Sequence, residues 1–388
     1  MTGFIILLAI VLVVVISVQI GKIVELANKI RGQEESDRIN ADRTAFWLLV
    51  FGIALILGTI WSCYHYKNFM LGYGPHEAAS IHGKKVDSIF NLTVILTGIV
   101  FVLTQVALFY FAFKYKGRPG KKVLFIPHNN KLEFYWTITP AIVMTILVVS
   151  GLMAWNEIMA DVKEDEDFIE IEAVAYQFAW DIRYPGKDHK LGTRNYKLIS
   201  GTNGLGMDWT DPKTHDDFIA DQIVLPKGKK VRVRITSKDV LHNFYLPQFR
   251  VKMDAIPGLP TYFVFTPEKT LDEYKLELRK YPEYLEPSDP KDPFGPKKWE
   301  TFTYELGCAE LCGIGHYSMR KVVKIVSPKE YEEWFNKQNS VYFSTVRNTD
   351  DDPNKGKVLA GEPITTSVET KEKVDTTVII SKESLNKK

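Results

Sequence analysis

Long apolar runs occupy the first part of the chain, up to about residue 160. Four of them contain no Asp, Glu, Lys or Arg and cover residues 3–20, 45–63, 88–113 and 134–155. As helices, all four are long enough to cross a hydrocarbon core of about 30 Å. The pattern therefore predicts four membrane-spanning helices in this part of the chain.

Past residue 160, apolar positions alternate with polar ones. Ile169, Ile171 and Ala173 alternate with Glu170 and Glu172, which is the period of a half-buried strand. Comparable strand signals occur at residues 231–235, 262–265 and 322–326. Short strands joined by turn-rich links predict a β-sandwich or a barrel.

Three segments show neither pattern. Residues 184–218 and 281–298 are rich in polar residues, Gly or Pro, and we interpret both as surface insertions. Residues 341–388 contain almost no aromatic side chains, so they are not expected to bury enough apolar surface to offset their ordering entropy. The expected organisation is a first helical pair at 1–66, a second pair at 67–158, a β domain at 159–340 and a disordered tail at 341–388.

Basic residues near the predicted helices indicate the orientation, because short loops rich in Lys and Arg stay in the cytoplasm. Such residues cluster between the first and second helices and after the third: Lys22, Lys29, Arg31, Arg38, Arg43, Lys114, Lys116, Arg118, Lys121, Lys122 and Lys131. Fewer lie between the second and third helices: Lys67, Lys84 and Lys85. Both termini and the β domain are therefore expected on the outer face. Cleavage of the first helix as a secretory signal is an alternative, although no basic residue precedes it and no small-residue cleavage site follows it.

Composition and charge narrow the function only slightly. The 388 residues are 45% hydrophobic and carry a formal net charge of +2. That charge is too small to indicate nucleic-acid binding. The sequence contains no Cys-x-x-Cys-His motif, so no c-type haem attachment site is present.

Soft metal ligands are concentrated in one short segment near residue 310. Three ligand types occur in this segment, and a further His lies far upstream: Cys308, Cys312, His316, Met319 and His242. Thiolate, thioether and imidazole donors favour copper, whereas calcium and magnesium require oxygen ligands. One Cys, two His and one Met would form a mononuclear electron-transfer site. The second Cys allows two copper ions, with Met319 and a backbone carbonyl near Glu310 as weak ligands.

Two other interpretations of the cysteines are open at this point. The pair could form a disulfide, as cysteine pairs in oxidising compartments commonly do. It could also belong to a structural zinc site, although zinc gains nothing from Met319. Copper accounts for all five side chains.

Three sequence blocks make the chain resemble subunit II of the haem-copper cytochrome c oxidases, from about residue 88 to residue 334. The most specific block is CAELCGIGHYSM at 308–319, which is similar to the binuclear copper loop of the family, called CuA. The others are SKDVLH at 237–242, continued by Lys252, Asp254, Pro257 and Gly258, and LEFYWTITP at 132–140. The resemblance implies a cupredoxin-like Greek-key sandwich after the membrane helices. Family members commonly have two such helices, so the first two here are additional and suggest a bacterial form.

The resemblance also implies metal ligands and cofactors. Two copper ions would be bound by five side chains and one backbone carbonyl: His242, Cys308, Cys312, His316, Met319 and the carbonyl of Glu310. The Glu310 side chain would reach a magnesium ion shared with subunit I. Glu133 matches the carboxylate at the cytoplasmic mouth of a proton pathway into subunit I. A carboxylate at a helix N-terminus is, however, also favoured by the helix dipole alone.

The chain departs from the family at two positions. Phe178 stands where the family usually has the tryptophan that receives the electron. Trp180 is therefore the candidate for electron uptake, with a role in the core as its alternative. Leu259 stands where an arginine often follows Pro-Gly, so one contact toward the haem propionates is expected to be missing.

The resemblance implies a function in respiration. Electrons would pass from cytochrome c, or from a cytochrome c domain of a respiratory complex, through the copper centre to haem in subunit I, where oxygen is reduced to water with proton pumping. The chain would lie in the bacterial inner membrane among other oxidase subunits, with its copper domain in the periplasm. A quinol oxidase subunit would lack the copper ligands, and a nitrous oxide reductase would be soluble and rich in His. A blue-copper carrier or a copper chaperone would bind one copper ion.

Overall fold

The computed structural model describes residues 2–66, 77–163, 165–359 and 362. It contains two compact units, Met1–Tyr184 with Ile219–Gln338 and Pro185–Phe218 with Asn339–Lys388. The helices are α1 (Thr2–Arg31), α2 (Gln33–Tyr66), α3 (Ile81–Lys114), α4 (Asn130–Ile158), α5 (Leu271–Leu278), α6 (Lys298–Thr301) and α7 (Pro328–Phe335). The strands are β1 (Phe168–Tyr176), β2 (Ala179–Tyr184), β3 (Phe218–Ala220), β4 (Ile223–Pro226), β5 (Lys230–Ser237), β6 (His242–Leu246), β7 (Val251–Ala255), β8 (Thr261–Phe265), β9 (Tyr304–Cys308) and β10 (Arg320–Val326).

The four predicted membrane helices are present as α1 to α4, each long and apolar enough to cross a membrane. The connection between the first two is shorter than expected, because α1 continues to Arg31 and α2 begins at Gln33. Gly32 separates them with φ +83°, in the left-handed region that glycine favours at the end of a helix. Glu34 and Glu35 then lie in the first turn of α2, where the helix dipole favours negative charge.

The β domain consists of two five-stranded sheets. Their strand orders are β3-β2-β1-β5-β8 and β4-β10-β9-β6-β7. β1 is parallel to β5 and β4 is parallel to β10. Ile171, Val233, Phe244, Leu306 and Ile325 are buried, as expected for the inward positions of alternating strands. The predicted fold class, apolar N-terminal helices followed by a cupredoxin-like sandwich, is confirmed.

The N-terminal end of α3 is fastened to the β domain. The Ser80 hydroxyl donates a 2.6 Å hydrogen bond to the carbonyl of Phe249. The Arg250 guanidinium contacts both carboxylate oxygens of Asp87, at 2.8 and 2.9 Å, and its side chain is only 4% exposed. Because Arg250 lies between β6 and β7, this ion pair connects the membrane helix to the hairpin that begins at His242.

Replacing Arg250 by Met is expected to lower the melting midpoint of the β domain by about 4–8 °C, because loss of this largely buried pair costs about 2 kcal/mol. The purified complex would be melted in a calorimeter. Lys84→Met is the matched control, since Lys84 of α3 pairs with Glu268 at a more exposed place, with side chains 46% and 38% exposed. That change should shift the midpoint by no more than about 2 °C. Equal shifts would contradict a special role for Arg250.

The segment that leads from α4 to β1 is held by ion pairs. Three of its carboxylates contact basic side chains of β5 or of the turn before it: Asp161 with Arg232, Glu166 with Lys230 and Asp167 with Lys229. The Arg232 guanidinium also lies 4.9 Å from the ring centre of Tyr262, whose hydroxyl donates to the carbonyl of Met159. The link between the membrane helices and the β domain is therefore fixed by side-chain contacts.

The second unit corrects two predictions. The segment Pro185–Phe218, interpreted as a surface insertion, packs with the residues that follow Gln338, interpreted in part as a disordered tail. Tyr342 is fully buried and stacks on His215 with ring centres 4.2 Å apart. The prediction of disorder is therefore wrong for residues 341–359. The low aromatic content averaged over the whole tail concealed that a few aromatic side chains at its start pack against buried partners. Residues 360–361 and 363–388 lie outside the described residues.

Ending the chain after residue 340 is expected to raise the rate of proteolysis within Pro185–Phe218 by at least about tenfold, since burial of a side chain as large as Tyr342 contributes about 1.5–3 kcal/mol. Ending it after residue 362 is the control and should leave that rate unchanged, because the contacts of Tyr342 and His215 are kept. Limited proteolysis with mass spectrometry of the fragments measures both. Equal rates would contradict the packing role of residues 341–359.

Candidate metal centre

Two neighbouring strands and one loop bring the predicted ligands together. His242 begins β6 and Cys308 ends β9, and the two strands pair with Phe244 opposite Cys308. The chain then forms the loop between β9 and β10, which contains the remaining ligands: Cys312, His316 and Met319. In the part of the chain that the structure describes, His242, Cys308 and Cys312 have their ligand atoms within 4.8 Å of one another, close enough to hold a metal ion.

The two cysteines are free thiols. Their Sγ atoms are 4.0 Å apart, whereas a disulfide requires about 2.05 Å. The disulfide interpretation is therefore wrong for this structure.

Each thiol has its own imidazole and its own weaker donor. The Sγ atom of Cys308 lies 3.8 Å from Nδ1 of His242 and 3.2 Å from the carbonyl oxygen of Glu310. The Sγ atom of Cys312 lies 3.5 Å from Nδ1 of His316 and 3.3 Å from Sδ of Met319. Sulfur and imidazole donors in this arrangement suit copper, and the thioether gives no advantage to zinc. The residues present therefore fit a copper centre.

The centre is shielded from water on its inner side. His242 is fully buried, Met319 is 1% exposed and Cys312 is 6% exposed. Burial, together with the neighbouring Cys308, raises the pKa of the Cys312 thiol to about 11. Metal binding must therefore displace a proton from this thiol at neutral pH, which couples metal uptake to proton release.

Asp239 connects two parts of the site, and the sequence patterns did not single it out. Its Oδ1 lies 2.9 Å from Nε2 of His242, and its Oδ2 accepts a 2.7 Å hydrogen bond from the backbone amide of Gln177. The Gln177 side chain donates a 2.6 Å hydrogen bond to the carbonyl of Cys312. With Nε2–H of His242 donating to the carboxylate, Nδ1 keeps its lone pair toward Cys308. The sequence feature that could have identified Asp239 is its position three residues before His242.

The charge of Asp239 is also set by these contacts. Burial acts to raise the pKa of its carboxyl, but hydrogen bonds from the Gln177 amide, the His242 ring and the Val240 amide outweigh burial. The pKa is therefore lowered, and the carboxylate stays ionised at neutral pH. An ionised carboxylate is an acceptor only, so it fixes the direction of both hydrogen bonds.

The aromatic residues beside the site occupy different depths. Trp180 is 1% exposed, with its ring centre 6.3 Å from that of His242 and 5.8 Å from that of Phe244. Phe178 is half-buried and packs on the metal loop, where a Cβ added at Gly315 would lie 2.5 Å from its Cγ. A docking protein can therefore approach Phe178 but cannot touch Trp180 directly. Leu259, at the other departure from the family, is 58% exposed.

Glu310 and Glu133 lie outside the cluster of thiols. The Glu310 side chain is exposed, while its carbonyl oxygen faces Cys308. Glu133 lies in the first turn of α4, where its Oε1 accepts a 3.3 Å hydrogen bond from the backbone amide of Asn129. The amide of Leu132 in turn donates to the Asn129 side chain. Glu133 therefore helps to cap α4.

Comparison with known proteins gives matches along most of the chain. Two family models match: cytochrome c oxidase subunit II, transmembrane domain, at residues 69–153, and cytochrome c oxidase subunit II, periplasmic domain, at residues 169–270. The alternative cytochrome c oxidase subunit 2 of Bradyrhizobium diazoefficiens is 31% identical over 265 residues, which cover 68% of this chain and 83% of that protein. The cytochrome c oxidase subunit 2 of Thermostichus vulcanus is 23% identical over 325 residues, covering 78% and 88%.

A solved structure is also similar. It is the periplasmic domain of subunit II of the cytochrome oxidase of Bradyrhizobium japonicum, 24% identical, with a TM-score of 0.27 over 45% of this chain and 95% of that domain. The family models match neither α1 and α2 nor the loop from β9 to β10. The assignment of the metal ligands therefore depends on the residues and the geometry of that loop.

Proposed function

Because the chain belongs to the cytochrome c oxidase subunit II family, we propose that it takes up electrons from a reduced cytochrome c and passes them toward the haem of subunit I through a dinuclear copper centre. Members of this family are components of haem-copper oxidases, and the family implies a copper centre in the β domain. In the proposed complex, subunit I reduces oxygen to water with proton pumping. The chain itself contributes electron uptake.

The observation that carries the proposal is the matched set of donors around two free thiols. Cys308 has His242 and the Glu310 carbonyl beside it, and Cys312 has His316 and Met319. When bound there, copper supplies one-electron redox chemistry. The six donors leave no obvious place for a substrate, and the buried His242 and Met319 exclude water from the inner side. This arrangement therefore favours electron transfer at the centre over catalysis, which would require a place for a substrate.

The remaining residues have supporting roles in the proposal. The exposed Glu310 carboxylate would contact a magnesium ion shared with subunit I, while its carbonyl faces the thiols. Phe178 lies between the surface and the metal loop, so electrons would enter near it and near the exposed part of His316. Trp180, buried beside His242, would act as an inner relay at most. Glu133 would form the cytoplasmic entrance of a proton pathway into subunit I, in addition to capping α4.

The family also bears on location. The match to a periplasmic-domain model and the four apolar helices support a membrane protein with a periplasmic β domain. We propose the bacterial inner membrane as the site, with both termini on the periplasmic side. Reporter fusions at each terminus would test the orientation.

The dinuclear assignment is tested by electron paramagnetic resonance of the purified oxidase. One unpaired electron shared by two copper nuclei is expected, because each of the two neighbouring thiols lies beside its own imidazole nitrogen. Hyperfine coupling to a single copper nucleus would contradict the assignment and favour a blue-copper type of site.

A further inference from the structure

A cavity of about 740 Å³ lies where α1, α2 and the connection from α3 to α4 meet. Its walls come from the last residue of α1, from the first turns of α2 and from the segment between Arg118 and Lys121. The electron-transfer function proposed above uses none of these residues.

The cavity carries an excess of positive charge. It is lined by four basic and three acidic side chains: Arg31, Arg38, Arg118, Lys121, Glu34, Glu35 and Asp42. Glu35 is paired with Arg38 at 2.8 Å, and Asp42 is paired with Lys116 at 2.6 Å. The side chains of the other three basic residues form no hydrogen bond or ion pair with the part of the chain that the structure describes. Counting Lys116, five basic side chains accompany the three carboxylates in and beside the cavity, which leaves a surplus of two positive charges.

The cavity lies at the end of the membrane helices that faces away from the β domain. The β domain contacts the N-terminal end of α3, through Asp87 and Arg250, whereas the cavity adjoins the C-terminal end of α3, where Lys116 contacts Asp42. Trp47 and Tyr115, close to these two residues in sequence, are 66% and 71% exposed. Exposed Trp and Tyr near the ends of membrane helices mark the depth of the lipid headgroups.

An exposed apolar run begins two residues after Lys121. The side chains of Val123, Leu124, Phe125 and Ile126 are 94%, 81%, 86% and 61% exposed. Large apolar side chains beside basic ones are typical of segments that enter the boundary between headgroups and acyl chains. The same surface therefore offers cations for a phosphate and apolar contacts for a hydrocarbon chain.

We propose that this cavity binds the phosphate headgroup of an anionic phospholipid, with Arg31, Arg118 and Lys121 as its cationic ligands and residues 123–126 against an acyl chain. Basic pockets between membrane helices are known recognition sites for such headgroups. Arg31 comes from α1, which no family model matches, whereas Arg118 and Lys121 lie within the matched transmembrane domain. The additional helical pair thus completes a lipid site that α3 and α4 alone do not form.

Native mass spectrometry of the delipidated, intact oxidase would test the proposal. The complex is titrated with phosphatidylglycerol, with phosphatidylcholine, and with phosphatidylglycerol in the presence of inorganic phosphate. We expect phosphatidylglycerol to bind at least about tenfold more tightly than phosphatidylcholine, and the triple variant R31Q/R118Q/K121Q to lose that preference. The matched control R43Q/K122Q/K131Q removes three basic residues that do not line the cavity, and it should keep the preference.

Several results would overturn the proposal. The first is a wild-type complex that binds phosphatidylglycerol no more tightly than phosphatidylcholine. The second is an equal loss of the phosphatidylglycerol preference in the two triple variants. The third is displacement of the lipid by inorganic phosphate at an equal concentration, which would indicate a site for free phosphate. If the triple variant does not assemble, Arg118→Gln alone is expected to weaken phosphatidylglycerol binding about fivefold. An unchanged affinity in that variant would equally reject the cavity as a lipid site.

Discussion

Replacing Cys312 by Ser is expected to reduce electron transfer from cytochrome c by more than about a hundredfold, beyond the 10–100-fold range seen when residues that support a metal ligand are changed. The Cys312 Sγ atom lies within 4.0 Å of three other donor atoms, from Cys308, His316 and Met319. A serine hydroxyl is a hard, neutral donor that copper does not favour. The variant should therefore lose the shared copper signal as well as turnover.

The measurement compares the variant with wild type in the purified oxidase, by stopped-flow oxidation of cytochrome c and by electron paramagnetic resonance. Haem absorption checks that subunit I is still assembled. Cys63→Ser is the matched control, because Cys63 is an exposed thiol on α2 without a role in the site. A Cys312→Ser enzyme that keeps fast electron uptake and an electron shared by two copper nuclei would contradict the ligand assignment.

The membrane helices and the ligand loop were predictable because their signals are local. A charge-free run long enough to span a bilayer needs no knowledge of its neighbours, and α1 to α4 contain all four predicted runs. The loop from Cys308 to Met319 likewise contains four of the five ligand side chains within a short segment. Only His242 lies far from this segment, and its assignment depended on the ligands of the distant loop.

The features that were missed depend on contacts between distant segments. The order of Tyr342 arises from stacking on His215, more than a hundred residues earlier in the chain. Asp239 gains its role because a hydrogen bond places it against Gln177, in the turn between β1 and β2. The depth of Trp180 is also decided by packing, since its neighbour Phe244 belongs to the other sheet. No periodicity in the sequence records these pairings.

Replacing Asp239 by Asn is expected to lower electron uptake and copper retention by about 10–100-fold, the usual effect of changing a group that orients a metal ligand. The carboxylate accepts from both Nε2–H of His242 and the Gln177 amide. An asparagine side chain has one acceptor and one donor group, so it can satisfy only one of these two hydrogen bonds. Either the His242 ring loses its fixed orientation, or the turn that supports the Cys312 carbonyl through Gln177 is released.

Asp181→Asn is the matched control for this prediction. Asp181 is similarly exposed, 24% against 33% for Asp239, and it accepts from Lys238 and Tyr176 without contacting a metal ligand. Both variants remove one negative charge on the same side of the domain, so a change in long-range steering of cytochrome c would affect them alike and would vanish at high salt. A positioning role predicts that only Asp239→Asn changes the copper hyperfine couplings, and that the loss persists at high salt. Equal, salt-sensitive losses in the two variants would instead assign Asp239 to docking.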